Sequence, residues 1–241
     1  MNKSEIIIRN NLSELEYNDY WFDYVIKENP QEIKNFILEE YLDSQGYEIH
    51  LDIYEKERSI RSNIIFIHGT SVYSRFYPDI LYRLSQKGYR IIAPDLPGHG
   101  RSSGLRGHFT LKLITKIMYD VNTYCKEKFG NSVYIMGSSL GGIAALYCSA
   151  YDERIKGVIC HNAAILNEKA YKEIINVEGI IKLLVPFVPI LAKIFPKMKL
   201  SVWKYLNPYD LAETDKILKR VEKLLKDPLA SQKYTLTSLR T

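Results

Sequence analysis

The chain has 241 residues, of which 46% are hydrophobic and 25% charged, with a net charge of +5. That length suits one domain with a buried core, and the balance is that of a globular chain rather than a disordered, fibrous or membrane-spanning one. The mild net charge hides an asymmetry: residues 1–62 carry roughly seven more acids than bases, and residues 191–241 roughly six more bases than acids. No recognition motif accompanies the basic stretch, so nucleic acid is not an expected partner.

The N-terminal run Ile6-Ile7-Ile8 is too short for a signal peptide, which points to a cytoplasmic protein. Residues 10–43 read as two helices, the second opened by Pro30 with Ile33, Phe36, Ile37 and Leu38 on one face. Residues 1–44 are therefore expected to form a helical extension ahead of the main fold. Tyr47–Tyr54 alternates as a strand does, and Asn63–Ile67 is a buried strand ending at His68-Gly69. Ile80–Gln86 reads as a helix, Arg90–Ala93 as a strand, and Leu111–Phe129 as a helix stopped by Gly130. Val133–Met136 and Gly157–Cys160 are two more strands. This alternation predicts an α/β fold, a mostly parallel sheet with helices on both faces, spanning residues 45–166.

After Ala163 the rhythm changes. Residues 167–226 are helical in pattern, with no good strand, and hold the apolar run Ile180–Phe195. Two prolines and two lysines interrupt that run, so it is not a membrane span. It predicts a helical lid over a binding site, with weak peripheral membrane contact as one use of its apolar face. Residues 227–241 read as the start of a helix returning to the core. Cys125, Cys148 and Cys160 show no metal or redox spacing and are expected to be buried free thiols.

The chemistry is concentrated in Gly137-Ser138-Ser139-Leu140-Gly141, which follows a β-prone run and precedes a helix-prone one. A Gly-x-Ser-x-Gly pentad in that setting is a nucleophile elbow, a strained turn exposing one serine at the top of a sheet. Ser139 is the expected catalytic nucleophile. Gly137 and Gly141 sit where a side chain would clash, and Ser138 lacks flanking glycines.

Other segments, in order, carry a resemblance. His68-Gly69-Thr70 ends a strand, Ser74-Arg75-Phe76-Tyr77 leads into a helix, and Pro94-Asp95-Leu96-Pro97-Gly98-His99-Gly100 follows the next strand. With the elbow, this set resembles the α/β-hydrolase superfamily, and within it the monoacylglycerol lipase, lysophospholipase and serine-aminopeptidase-like group. The resemblance implies acyl transfer through a Ser139 acyl-enzyme, with the backbone N–H groups of Thr70 and Leu140 as the oxyanion hole. It implies a carboxylic ester substrate of lipid-like type, and neither a metal nor an organic cofactor. It also assigns structural roles to His68, Asp95, His99 and His108.

The same resemblance places an acid and then a histidine on strands after the lid. No histidine follows His161 in this chain. The expectation is a hydrolase fold lacking its last strands, with the triad acid and base absent and the strand Gly157–Cys160 exposed as a sheet edge. His161 is expected to line the pocket or to act as a substitute base. A catalytically impaired hydrolase, a lidded binding protein and a peptidase on the same fold remain the alternatives.

Overall fold

The computed structural model describes residues 29–55, 60–130, 132–163, 187–201 and 215–240. The first expected helix, residues 164–186 with the first part of the lid run, and residues 202–214 lie outside them. Helix α1 (Pro30–Phe36) begins as the sequence suggests: Pro30 occupies the first turn and the Asn29 side chain accepts the Gln31 N–H.

It stops earlier than expected. Ile37–Ser44 is not helix but strand β1, paired antiparallel with β2 (Tyr47–Tyr54) from Ile37 opposite Tyr54 to Ser44 opposite Tyr47. Gln45 and Gly46 take φ of 54° and 79°, a two-residue hairpin turn whose twist suits the flanking strands. The leucines and glutamates of this stretch favour helix only weakly, and eight cross-strand pairs outweigh that preference. Residues 37–44 therefore belong to the sheet and not to a helical extension.

Among the described residues the sheet has six strands in the order β1-β2-β4-β3-β5-β6, the others being β3 (Ser62–Ile67), β4 (Tyr89–Pro94), β5 (Val133–Ser138) and β6 (Ile155–His161). β4, β3, β5 and β6 run parallel, while β2 joins β4 antiparallel. Alternation along β3 divides the core. Ile64 and Phe66 pack with Ile33 of α1 and Leu81 and Tyr82 of α2 (Pro78–Gln86). Ile65 and Ile67 face α3 (Leu111–Phe129) and α4 (Leu140–Tyr151), against Ile114, Val121 and Ala145. The helices on both faces follow from strands that are apolar on both sides.

Among the described residues β6 is the outer strand of the sheet, and Ile159, Cys160 and His161 along it are exposed. This corrects the expectation for the cysteines. Cys125 and Cys148 are buried, and burial pushes both thiols up to about 12, but Cys160 lies open on the edge strand.

The C-terminal part also departs from the all-helical expectation. β7 (Lys199–Ser201) pairs antiparallel with β8 (Lys233–Thr235), among helices α5 (Val188–Ile194), α6 (Asp215–Lys226) and α7 (Leu236–Arg240). Residues 227–235 are bonded to two loops of the core. Gly100 N–H donates to the Leu229 carbonyl at 3.1 Å, Ser231 N–H to that of Ser71 at 3.3 Å, and Thr235 N–H to that of Gly107 at 3.0 Å. Among the described residues, no helix is long and apolar enough to cross a membrane.

Candidate active site

Ser139 stands between the last residue of β5 and the first of α4, with φ 55° and ψ −119°. A non-glycine residue at positive φ is strained, and such strain persists only where surrounding structure enforces it. Two glycines do so here. A Cβ on Gly137 would lie 2.0 Å from the Gly141 carbonyl oxygen, and one on Gly141 would lie 2.1 Å from that of Ile67. The strand, the turn and the helix can approach only without side chains at those positions. Ser139 is then held through its backbone: its N–H donates to the His161 carbonyl at 2.9 Å, and its own carbonyl accepts the Gly142 N–H at 2.9 Å. Ser139 is exposed to solvent.

The His68-Gly69-Thr70 turn lies against this elbow because β3 neighbours β5 in parallel, with Ile67 opposite Gly137. A Cβ at Gly69 would be 3.4 Å from the Ser139 Cβ and 3.2 Å from the Ser138 carbonyl oxygen. Among the described residues, nothing accepts the Thr70 N–H. Leu140 opens α4, so its N–H belongs to the unbonded first turn, where the helix dipole favours negative charge.

All five histidines lie in described residues, and none hydrogen-bonds the Ser139 hydroxyl. His161 Nδ1 stands 3.3 Å from the Oγ of Ser138, the neighbouring serine. His68 is buried; it accepts the Leu96 N–H at Nε2 (3.0 Å), which leaves Nδ1 to donate to the Gly69 carbonyl (2.8 Å). Burial holds its pKa below the usual histidine range, so it stays neutral. His99 is neutral too: burial and the neighbouring His68 lower it to about 3. His108 bonds the Thr235 hydroxyl at 2.9 Å.

Asp95 is buried 2.9 Å from His50 Nδ1 and accepts the backbone N–H groups of Ser74 (2.8 Å) and Arg101 (2.9 Å). Burial alone would raise its pKa, but the His50 charge and these donors hold it well below the ordinary range. It shapes loops and does not reach Ser139.

Around it lies a feature the sequence reading did not single out. Three carboxylates, Glu39, Asp52 and Asp95, meet three cations, His50, Arg75 and Arg101. Burial opposes the charge on His50, but Asp52, Asp95 and Glu39 outweigh it and push its pKa up to about 9. The ligand atoms of Glu39, His50 and Asp52 lie within 4.8 Å of one another, as metal ligands could. Arg75, however, donates to both Glu39 and Asp52, so a guanidinium takes the place a cation would need. The sequence signal was the alternation in β2, which puts His50 and Asp52 on one face of a strand.

Fold and elbow together define an α/β-hydrolase. A family model described as "Serine aminopeptidase, S33" matches residues 58–241, and the chain belongs to that family. Monoacylglycerol lipase from Paleococcus ferrophilus superposes with a TM-score of 0.64 at 23% identity, covering 79% of this chain and 67% of that one. A soluble variant of monoglyceride lipase from Saccharomyces cerevisiae gives a TM-score of 0.65 at 19% identity, covering 90% and 67%. Phospholipase YtpA from Bacillus subtilis is 29% identical over 100 residues, 40% of this chain and 38% of that protein. The chain thus matches well under half the length of its Bacillus relative.

Proposed function

We propose that the chain is a serine hydrolase of carboxylic esters, acting on lipid-like substrates of the monoacylglycerol or lysophospholipid type. In this reading the Ser139 Oγ attacks the ester carbonyl, and the backbone N–H groups of Thr70 and Leu140 hold the oxyanion. The alcohol leaves, an acyl-enzyme remains, and water releases the acid. The observation that carries the reading is the strained Ser139 backbone beside the Gly69-Thr70 turn. The lipid type is supported by the names of the structural neighbours and of the Bacillus relative. A peptidase on the same fold is the second reading, favoured by the family's description.

The test is covalent capture. An alkyl fluorophosphonate should form a Ser139 O–P bond with loss of fluoride, read by mass spectrometry of the tryptic peptide, and Ser139→Ala should show no adduct. With no histidine at its hydroxyl, Ser139 should label slowly, and capture at Ser138 in its place would refute the assignment. A panel of monoacylglycerols, lysophospholipids and aminoacyl amides separates esterase from peptidase action.

The proposed lid adds an interface. Phe187, Ile190, Ile194 and Phe195 are exposed beside Lys193 and Lys197, an apolar surface with cations at its rim. Such a surface suits weak, peripheral contact with anionic lipid. Phe187→Asp combined with Ile190→Asp should lower co-sedimentation with phosphatidylglycerol vesicles several-fold; unchanged binding would remove the lid from membrane contact.

A further inference from the structure

The backbone N–H groups on either side of Thr70 are both taken by tyrosine hydroxyls. Gly69 N–H donates to Tyr77 Oη at 3.2 Å, and Ser71 N–H donates to Tyr234 Oη at 2.6 Å. The N–H between them has no acceptor among the described residues. The two phenols come from opposite ends of the chain. Tyr77 caps α2, eight residues from Gly69, whereas Tyr234 sits in β8, 163 residues from Ser71.

The Tyr234 hydroxyl has a fixed direction. His99 Nδ1 lies 3.0 Å from the Pro97 carbonyl, and His99 Nε2 lies 3.1 Å from Tyr234 Oη. A carbonyl can only accept, so Nδ1 carries the proton and Nε2 of the neutral ring is the acceptor. Tyr234 therefore donates its proton to His99 and offers its lone pairs to Ser71. The chain of donors runs from Ser71 N–H through Tyr234 to His99 and ends on Pro97. Ser71 itself sits at φ 67° and is buried, a strained conformation that needs an external hold.

We propose that Tyr77 and Tyr234 are positioning residues that clamp the flanking amides and so aim the Thr70 N–H at the oxyanion. The inference rests on the hydrolase reading above and extends it to two side chains outside the Gly-x-Ser-x-Gly pentad and the His68-Gly69-Thr70 turn. Tyr234 makes the C-terminal segment part of the site's support. Without its hydroxyl, Ser71 N–H and His99 Nε2 would both lose a partner inside the protein, and the turn would relax to find others.

The experiment compares Ser139 phosphonylation by a fluorophosphonate and by its thiono analogue. Sulfur accepts hydrogen bonds weakly, so the oxygen-to-sulfur rate ratio reports on the oxyanion donors. Tyr234→Phe and Tyr77→Phe should each slow the oxygen probe about 10-fold, a fraction of the loss seen when a donor is removed outright, and leave the thiono rate nearly unchanged. Amide exchange should show the Ser71 N–H deprotected in Tyr234→Phe. Ser231→Ala serves as control: it loses a 3.0 Å bond to the Gly98 carbonyl in the same segment and should leave the ratio intact. Equal slowing of both probes, or a ratio that falls as far in Ser231→Ala, would assign Tyr234 to packing and overturn the clamp. Labelling indifferent to both Tyr→Phe changes would overturn the clamp alone, whereas labelling of the unaltered chain at Ser138 in place of Ser139 would overturn the hydrolase reading and the clamp with it.

Discussion

The 241-residue chain is expected to hydrolyse p-nitrophenyl acetate on the order of 10⁴-fold or more below a hydrolase with a complete triad. A serine hydroxyl is a weak nucleophile unless a base takes its proton as it attacks. Every histidine is accounted for, and none stands at the Ser139 hydroxyl. His68 and His99 are buried, neutral and bonded to backbone or phenol, and His50 is locked among three carboxylates. His108 is bonded to Thr235, and His161 is aimed at Ser138. With the proposed oxyanion donors alone, part of the catalysis would survive, so weak turnover should persist and vanish in Ser139→Ala. His161→Ala should change it little. Robust turnover abolished by both substitutions would instead establish His161 as the general base, which would require its ring to leave Ser138. The same assay on the 241-residue chain supplemented with a histidine-rich buffer would show whether an external base rescues the rate.

Stability should fall markedly with pH on the alkaline side, and His50 sets that limb. Its pKa rises from an ordinary 6.5 to about 9 on folding, because Asp52, Asp95 and Glu39 more than offset its burial. A group whose pKa is raised in the folded state stabilises fully below its unfolded value and loses that contribution as pH climbs through the folded one. Between pH 6.5 and 9 the loss amounts to about 3 kcal/mol. The acid side has the opposite sign. Asp95 and Glu39 are both depressed: in each, burial is outweighed, for Asp95 by His50 and backbone donors and for Glu39 by His50 and Arg75. Their contribution is present above the ordinary carboxylate range and disappears as pH falls below it. The maximum should therefore lie between about pH 4 and pH 6.5. Urea unfolding across pH 3–9 measures this directly. His50→Gln should be less stable at pH 6 and should flatten the alkaline limb. A wild-type profile level from pH 6 to 9 would mean that His50 is not a buried cation.

How much of this could be read beforehand depends on the range of the interaction. The elbow was legible because its cause is local. Gly137 and Gly141 leave room for two backbone segments at about 2 Å from where a Cβ would be, and the β-prone and helix-prone flanks declare which segments those are. The approach of Gly69 to it was legible only through the resemblance. Spacing in sequence does not say that β3 and β5 are neighbours; the parallel pairing of Ile67 with Gly137 does. The same holds for the exposed strand Gly157–Cys160. It ends the strand order of the described residues, and Cys160 on it is exposed, whereas an apolar strand is ordinarily expected to be buried.

By itself, then, the sequence determined the alternating α/β rhythm, the strained serine turn, the opening of α1 at Pro30, and the family to which the chain belongs. These rest on sterics, hydrogen bonding and periodicity within a few residues. Only the tertiary structure decided that Ile37–Ser44 is a strand, since the weak helical preference of its side chains yields to eight pairs with β2. Only it brought Glu39, His50, Asp52, Asp95, Arg75 and Arg101 into one balanced cluster. And only it carried Tyr234 across 163 residues to the amide beside Thr70. In each case the deciding energy is a contact between segments remote in the chain, and local preference, worth a few tenths of a kcal/mol per residue, is too small to announce it.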